Sequence, residues 1–345
     1  MRTARFSSLV LVLGTLGVVH AQTSAIGAPL TGFLVDSRTH SIRPIQGVPG
    51  ASVTGDPLAA DVDVRTAVFS STGQFAVTAD SRRGLVLING LNSGTPSTQV
   101  IEGAIPGAEM MSLNDSGSAV LYSRSTGQVQ FLSGLPNSPV ASPSRSISSL
   151  PGAVTALAIA AGGASALVAV SDGTYGGVYE IANADGATPQ SIASAYQPSA
   201  VSYVNNDQDA VLADAFTNEV DLIQGIHANQ TRSAVVASRD GVQNPVALQA
   251  YNGLLLIASA GSQNVIEYDL AAARVLTSTS LPIAPTRFGA LNIRGVFSLN
   301  DASAGPSYLY SAADSSVLFV PPNLPTVVDG RRTSTAARQQ GGSAQ

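Results

Sequence analysis

The sequence repeats itself with a period of about 45 residues, and this period limits the fold more than any other feature. A tight turn recurs five times, and the last residues of these turns are Gly73, Gly117, Gly163, Gln208 and Gly253. Successive turns are therefore 44, 46, 45 and 45 residues apart. Such a period is typical of architectures in which each unit buries its apolar surface against its neighbours.

The residue pattern divides each unit into four short strands. The strand after the turn is small and apolar, as in FAVTA (75–79) and ALVAV (166–170), which suits a strand buried on both faces. The next strand alternates polar and apolar residues, as in EVDLIQ (219–224) and VIEYDL (265–270). A more polar strand then ends near a proline, as in RVLTSTSLP (274–282). Four antiparallel strands per period predict the blade of a β-propeller.

The number of blades follows from the number of strands. Five blades are complete between about residues 64 and 286. The segments 31–55 and 287–322 bring the total to 26 or 27 strands, against 24 for six blades and 28 for seven. We predict an all-β fold, a β-propeller of four-stranded antiparallel blades, with seven blades favoured and six as the alternative. We expect both chain ends to share one blade, because their pairing removes exposed sheet edges.

One blade carries a recognisable consensus. The stretch 244–284 has a proline-led strand, a turn with glycine, an apolar strand, a Ser/Gly/Asn turn, a strand ending in Asp and a Val-containing strand ending near Pro. It resembles the YVTN repeats of secreted bacterial and archaeal propellers, a group similar to the lactonase-like propellers. Other blades depart from the pattern, since EVDLIQ lacks the final Asp and the NDQ turn lacks the Gly. The resemblance covers roughly residues 31–322 and implies a ligand binder, an interaction module, an accessory chain of a redox complex or, in a minority, a hydrolase.

Three residue types are absent from the chain, and their absence excludes several function classes. The sequence has no Cys, no Trp and no Lys, because all 17 basic residues are Arg. A phosphate-loop lysine, a Schiff base, a disulfide framework, a thiolate nucleophile and an iron–sulfur cluster are therefore excluded. The chain is acidic overall, with a formal net charge of -5, which argues against a nucleic-acid partner. This composition argues against an enzyme without settling the question.

The first residues have the pattern of a secretory signal peptide. Arg2 and Arg5 precede an apolar run from Leu9 to Val19, and small residues lead to a predicted cleavage site after Ala21. The run is about 11 residues long, whereas a membrane-spanning helix needs about 20. We predict a signal peptide at 1–21, a propeller at 22–321, and a flexible C-terminal tail at 322–345, which is rich in Gly, Ser, Gln and Arg. The mature protein is expected to be secreted or periplasmic, without a membrane span.

The loops that join the second and third strands of each blade are the predicted ligand face, since propellers usually bind at one end of the central channel. These loops are polar, and their charged candidates are Arg82, Arg83, Arg124, Asp172 and Asp214. The functional interpretation is a surface for an anionic or hydrogen-bonding partner. The alternative is that these hairpin loops are simply solvated.

Other titratable residues carry weaker signals. His40 and His227 are isolated, and no G-x-S-x-G elbow or paired-histidine metal motif occurs. Asp61 with Asp63, and the segment 206–209, do not complete the ligand spacing of a calcium loop, and turn chemistry explains them equally well. Two glutamates, Glu180 and Glu267, occupy equivalent positions in third strands, which predicts surface alternation and not a catalytic pair.

The favoured function is a binding or scaffold module for a protein or a small ligand. The alternatives are a lactonase-like hydrolase, whose channel mouth would hold a divalent metal through Asp, Asn and His40, and an accessory subunit of a periplasmic redox complex. No cofactor is predicted, with Ca²⁺ or another divalent metal as an alternative that no motif supports. The expected partner is another envelope or extracellular protein or a small ligand, and the chain is expected to be a monomer.

Overall fold

A computed structural model describes residues 29–58, 60–303 and 305–322, and this part of the chain is built almost entirely of strands. Its 28 strands form seven antiparallel sheets, so the all-β, seven-bladed prediction is confirmed over the six-bladed alternative. The predicted signal peptide and residues 323–345 of the predicted tail lie outside the described residues. Within the described ranges, no helix is long and apolar enough to cross a membrane.

The strands follow the chain from blade to blade. The first blade contains β1 (Leu30–Asp36), β2 (Ser41–Val48) and β3 (Ala51–Thr54), and the second contains β4 (Val64–Phe69), β5 (Phe75–Asp80), β6 (Gly84–Asn89) and β7 (Ser97–Val100). The third contains β8 (Met110–Leu113), β9 (Ala119–Ser123), β10 (Gln128–Ser133) and two short outer strands, β11 (Val140–Ala141) and β12 (Arg145–Ser146). The fourth contains β13 (Ala153–Ile159), β14 (Ser165–Ser171), β15 (Gly176–Ala182) and β16 (Gln190–Ala195).

The remaining three blades have four strands each. The fifth contains β17 (Pro198–Val204), β18 (Asp209–Asp214), β19 (Glu219–Gln224) and β20 (Thr231–Val236). The sixth contains β21 (Pro245–Tyr251), β22 (Leu254–Ser259), β23 (Asn264–Asp269) and β24 (Arg274–Ser280). The seventh contains β25 (Gly289–Ala290), β26 (Val296–Ser298), β27 (Ser307–Ser311) and β28 (Ser316–Val320). Two 3₁₀ helices span Leu91–Ser93 and Ser238–Asp240.

Burial follows the strand types that the sequence distinguishes. Every residue of β5, β9 and β18 is buried, because these second strands lie between the faces of two neighbouring blades. The outer strand β7 is exposed throughout. Seven clusters of buried apolar residues fill the seven interfaces between neighbouring blades, and the last of them joins the seventh blade to the first. The fold therefore has a ring of small cores between its blades.

The described parts of the two chain ends lie in neighbouring blades. Among the described residues, all three strands of the first sheet come from 30–54 and all four of the seventh from 289–320. The expectation that both ends share one blade stays a prediction, because residues 323–345 lie outside the described ranges. The described ends meet through backbone hydrogen bonds. Thr54 N donates to Pro321 O at 3.2 Å, and Ala302 N donates to Val35 O at 2.9 Å. Edge groups of the first blade thus find partners in the seventh without a shared sheet.

The propeller has two ends, which are named here for their loops. The 2–3 end carries the loops between second and third strands together with the segments that enter the inner strands. Contacts such as Asp63 N to Asp80 Oδ2, at 3.1 Å, hold these two kinds of segment together. The turn end carries the tight turns between first and second strands. Neighbouring turns are connected across blades there, as where Ala161 N donates to Asp207 Oδ2 at 2.9 Å.

Candidate functional site

Two of the predicted ligand-face residues, Arg82 and Arg83, lie on the second blade and are engaged with acidic residues beside them. The Arg82 Nη2 is 3.5 Å from the exposed Asp61 Oδ1, and the Arg83 Nε is 3.3 Å from Asp80 Oδ2. Burial disfavours the charged form of Asp80, yet backbone hydrogen bonds from Arg82, Arg83 and Asp63 and a side-chain hydrogen bond from Arg83 together lower its pKa. Asp80 therefore organises the loop, and Arg82 is the exposed cation of this region.

The third predicted cation, Arg124, contributes to a pocket at the 2–3 end. Its Nε is 3.3 Å from Glu109 Oε2, and both side chains are well exposed, so the pair contributes little to stability. The pocket has a volume of about 540 Å³. Its lining comes from the third to the sixth blades and includes Met110, Arg124, Val154, Gln197, Ala215 and Val246. The pocket therefore spans four blades and combines apolar walls with one cation.

Asp172 and Asp214 adjoin this pocket, but their carboxylates bind backbone. Asp172 Oδ1 accepts hydrogen bonds of 2.7 Å from the N–H groups of Thr174 and Tyr175, and these two bonds lower its pKa. Asp214 is only 1% exposed. Its two oxygens accept from four N–H groups, those of Tyr196, Gln197, Phe216 and Thr217. Both aspartates therefore fix the shape of loops, and the buried Asp214 carboxylate has both oxygens occupied by backbone N–H groups.

The loops that these aspartates fix present three aromatic rings to solvent. Tyr175 is 65% exposed, Tyr196 45% and Phe216 63%. The ring centroids of Tyr175 and Tyr196 are 6.0 Å apart, and those of Tyr196 and Phe216 are 5.2 Å apart. We call these three residues the aromatic cluster. Each has its own backbone N–H bound by Asp172 or Asp214, so the carboxylates hold the cluster in place.

Sequence reasoning missed the aromatic cluster. The rings come from three separate segments of the fourth and fifth blades, so no local motif connects them. A signal was nevertheless present, because Phe216 and Tyr175 follow Asp214 and Asp172 by two and three residues. An aspartate at the start of a tight turn accepts hydrogen bonds from the backbone of the residues that follow it. These bonds fix the turn, and the residues within it are exposed to solvent.

The two histidines each face a carboxylate. His40 Nδ1 lies 2.8 Å from Asp63 Oδ1, and Ser81 Oγ donates to the other oxygen of Asp63. The hydrogen bond from Ser81, followed by that from His40, lowers the pKa of Asp63. The carboxylate is the central member of this trio, whereas a serine nucleophile needs a histidine between the serine and the acid. Across the described ranges, no group of three His, Cys, Asp or Glu side chains is placed to hold a metal ion.

The prediction that Glu180 and Glu267 lie on the surface is wrong. Their exposed fractions are 6% and 4%, and each accepts a hydrogen bond from a tyrosine of the following blade. Tyr203 OH is 2.9 Å from Glu180 Oε1, and Tyr310 OH is 2.8 Å from Glu267 Oε1. Alternation along a third strand separates two rows of side chains, but both rows of a propeller blade can face a neighbouring blade.

Comparisons with known proteins agree on the fold. No family profile matches the sequence, and no curated protein matches it. Among solved structures, a hydrazine synthase chain of Kuenenia stuttgartiensis has a TM-score of 0.56 at 11% identity, covering 88% of this chain and 99% of that one. A functionally unknown protein from Desulfotomaculum acetoxidans has a TM-score of 0.57 at 12% identity, covering 86% and 100%. A nidogen/laminin complex chain has a TM-score of 0.51 at 13% identity, covering 73% and 93%. At these identities the likeness concerns the β-propeller fold alone.

Proposed function

We propose that this chain is a binding module that docks another protein at its 2–3 end, through the aromatic cluster and the adjoining pocket. The aromatic cluster is the observation that carries the proposal. Neighbouring exposed rings are expensive to leave in water, and large aromatic side chains dominate the energetics of protein interfaces. Here the rings also stand on backbone fixed by two carboxylates, so little ordering would be required when a partner binds.

The pocket specifies what the partner would offer. Its apolar walls include Met110, Val154 and Val246, which suit an inserted apolar side chain. Arg124 lies at the same pocket, and its side chain is 61% exposed, so its guanidinium can donate hydrogen bonds to a carbonyl or carboxylate of the partner. The proposed ligand is therefore a protein segment that places an apolar anchor next to a hydrogen-bond acceptor.

The proposal includes the cellular setting that the sequence predicts. The N-terminal segment 1–21 has the charge and apolar pattern of a secretory signal, and the blade at 244–284 resembles the YVTN repeats of secreted propellers. We propose a secreted or periplasmic binding module of this repeat type, whose partner is another envelope or extracellular protein.

Site-specific cross-linking tests the proposal. A photo-reactive phenylalanine analogue replaces Phe216 in the aromatic cluster, and a matched protein carries it at Phe319, which is 54% exposed on the seventh blade. We expect a discrete cross-linked protein from position 216 only. Loss of a central interface aromatic typically costs about 2 kcal/mol or more, so Tyr196→Ala should weaken binding of that protein about 30-fold, while Phe319→Ala leaves it unchanged. Identical products from both positions, or binding unaffected by Tyr196→Ala, would exclude this surface.

A further inference from the structure

A second cavity opens at the turn end of the propeller, between the fourth and fifth blades and away from the aromatic cluster. Its volume is about 580 Å³. Part of its wall consists of small side chains, Ala160, Ala164, Ala182 and Ala187. Its polar wall carries Ser165, Glu180, Asp207 and His227. The cavity thus has a narrow apolar part and an acidic part, and neither contributes to the binding surface proposed above.

Glu180 is buried in this cavity with one oxygen occupied and the other turned to the histidine. Its side chain is 8% exposed. The hydroxyls of Ser165 and Tyr203 both contact Oε1, at 2.8 and 2.9 Å. Burial, followed by the negative charge of Glu180, raises the pKa of Tyr203, so the phenol keeps its proton and can donate it to the carboxylate. The contact recorded for Oε2 is His227 Nδ1 at 3.4 Å.

The position of His227 determines which of its nitrogens is an acceptor. Its Nε2 lies 3.2 Å from the backbone oxygen of Asp207, and a carbonyl only accepts, so Nε2 carries a proton in this arrangement. With a second proton on the ring, Nδ1 donates to Glu180 Oε2 and the two groups form an ion pair. In the neutral form of the ring, the lone pair of Nδ1 is directed towards Glu180 Oε2, and two acceptors then face each other across 3.4 Å. The half-exposed imidazole leaves this pair accessible from the cavity.

The charges around the cavity favour a cation. The Asp207 carboxylate accepts from Ala161 N and adds a second negative charge to the polar wall. None of the described residues that line the cavity is an arginine, although Arg145 reaches the carbonyl oxygen of Ala182. An ammonium group supplies three N–H donors and a positive charge, which satisfies both facing acceptors at once.

We propose that this cavity binds an alkylammonium group, with the nitrogen on the cavity side of Glu180 Oε2 and His227 Nδ1, donating to both, and the aliphatic chain along the alanine wall. The group belongs either to a free amine or to a lysine side chain of a partner. The chain itself contains no lysine, so no lysine side chain of its own can fill the cavity.

Glu267 provides a matched control for the experiment. It has the same position in its third strand as Glu180, and it also accepts a hydrogen bond from a tyrosine, Tyr310. Unlike in Glu180, its Oε2 accepts a hydrogen bond from Ser315 Oγ at 3.1 Å. Its carboxylate is therefore satisfied on both oxygens by protein groups. Glu267→Gln removes an equivalent buried charge without touching the proposed site, so it separates loss of binding from a general effect on folding.

The test is protein-observed NMR titration with n-butylammonium at neutral pH, followed through the backbone amide signals of the residues that line the cavity, with n-butanol as the uncharged control. We expect saturable binding of butylammonium by the native protein and by Glu267→Gln, at least about tenfold weaker binding by Glu180→Gln and His227→Ala, and no binding of butanol. Equal binding by Glu180→Gln, or no binding of the amine, overturns the proposal.

Two further titrations distinguish a free amine from a lysine of a partner, and an ammonium group from a metal ion. A short lysine-containing peptide and its side-chain-acetylated counterpart are titrated in parallel. Binding of the lysine peptide tenfold tighter than butylammonium assigns the site to a partner lysine, whereas equal affinities assign it to a free amine. Because imidazole and carboxylate also ligate zinc, Zn²⁺ is titrated alone. Tight Zn²⁺ binding that needs both Glu180 and His227, without amine binding, assigns a metal site and overturns the proposal.

Discussion

Glu180 and Glu267 occupy the same place in two blades of this propeller and have different surroundings. Both lie in third strands, both are almost fully buried, and both accept a hydrogen bond from a tyrosine of the next blade. The tyrosines come from different strands: Tyr203 from the inner strand β17, and Tyr310 from the third strand β27. The Ser315 hydroxyl donates a hydrogen bond to the second oxygen of Glu267, whereas the second oxygen of Glu180 faces His227 and a cavity.

The difference shows what a repeat does and does not determine. The period places a carboxylate at the same strand position in both blades, and burial against the next blade then demands a partner for it. The partner residues lie in loops and strands that the repeat leaves variable. In one interface a serine hydroxyl binds the second oxygen of the glutamate, while in the other this oxygen faces a histidine beside a cavity.

The largest expected effect comes from removing the tyrosine hydroxyl at the Glu267 site. Tyr310→Phe leaves Glu267 Oε1 without its 2.8 Å donor in an interface where Tyr310 is 0% exposed, so water cannot easily replace the hydroxyl. Hydrogen bonds to charged groups contribute about 1.5–3 kcal/mol, and we expect a loss of about 2–3 kcal/mol in the free energy of unfolding. Urea unfolding followed by circular dichroism measures this loss.

Tyr308→Phe is the matched control for this variant. Tyr308 lies on the same strand, is half-buried and packs edge-to-face on Phe319 with ring centroids 5.9 Å apart. Its hydroxyl carries no bond to a buried charge, so its removal should cost less than about 0.5 kcal/mol. If the two variants lose equal stability, the Glu267 hydrogen bond is not what holds the sixth and seventh blades together.

The next expected effect is a loss of stability at high pH, which both glutamate sites share through their tyrosines. Burial, as the leading cause, raises the pKa of both Tyr203 and Tyr310 above the value of about 10 in an unfolded chain. Above pH 10 the unfolded chain loses these protons while the folded protein keeps them, so stability is intact below pH 10 and falls as pH rises. The expected slope is about 1.4 kcal/mol per pH unit for each tyrosine.

Unfolding at several pH values between 8 and 11 measures this slope for the native protein, Tyr203→Phe and Tyr310→Phe. Each single variant should remove about one tyrosine's share of the slope, although the two variants differ in stability at pH 8. Slopes that equal the native slope in both variants would mean that neither phenol retains its proton in the folded state, and the two sites would then not share this property.

The sequence predicted the ring of blades because a 45-residue period with four strand patterns has few other solutions. It could not predict the partners of Glu180, since alternation assigns side chains to rows and says nothing about the facing blade. It could not predict that the carboxylates of Asp172 and Asp214 bind backbone N–H groups, because position in a loop does not distinguish such a carboxylate from a free one. The sequence did not predict the aromatic cluster, because its three rings are separated along the chain and come together only in the fold.

Tyr203→Phe, for which we expect a smaller loss than for Tyr310→Phe, tests whether the Glu180 site is open. Ser165 Oγ still contacts Glu180 Oε1 at 2.8 Å in this variant, and the adjoining cavity can supply water to the vacated position. We expect a loss of about 1 kcal/mol, less than half of that for Tyr310→Phe. The measurements are urea unfolding and a crystal structure of the variant with a water molecule beside Glu180. Both substitutions delete one hydroxyl bonded to one buried carboxylate, so their difference reports the combined effect of the remaining Ser165 hydroxyl and of water from the cavity. A loss as large as that of Tyr310→Phe would mean that water does not reach Glu180, and an ammonium group could then not reach it either.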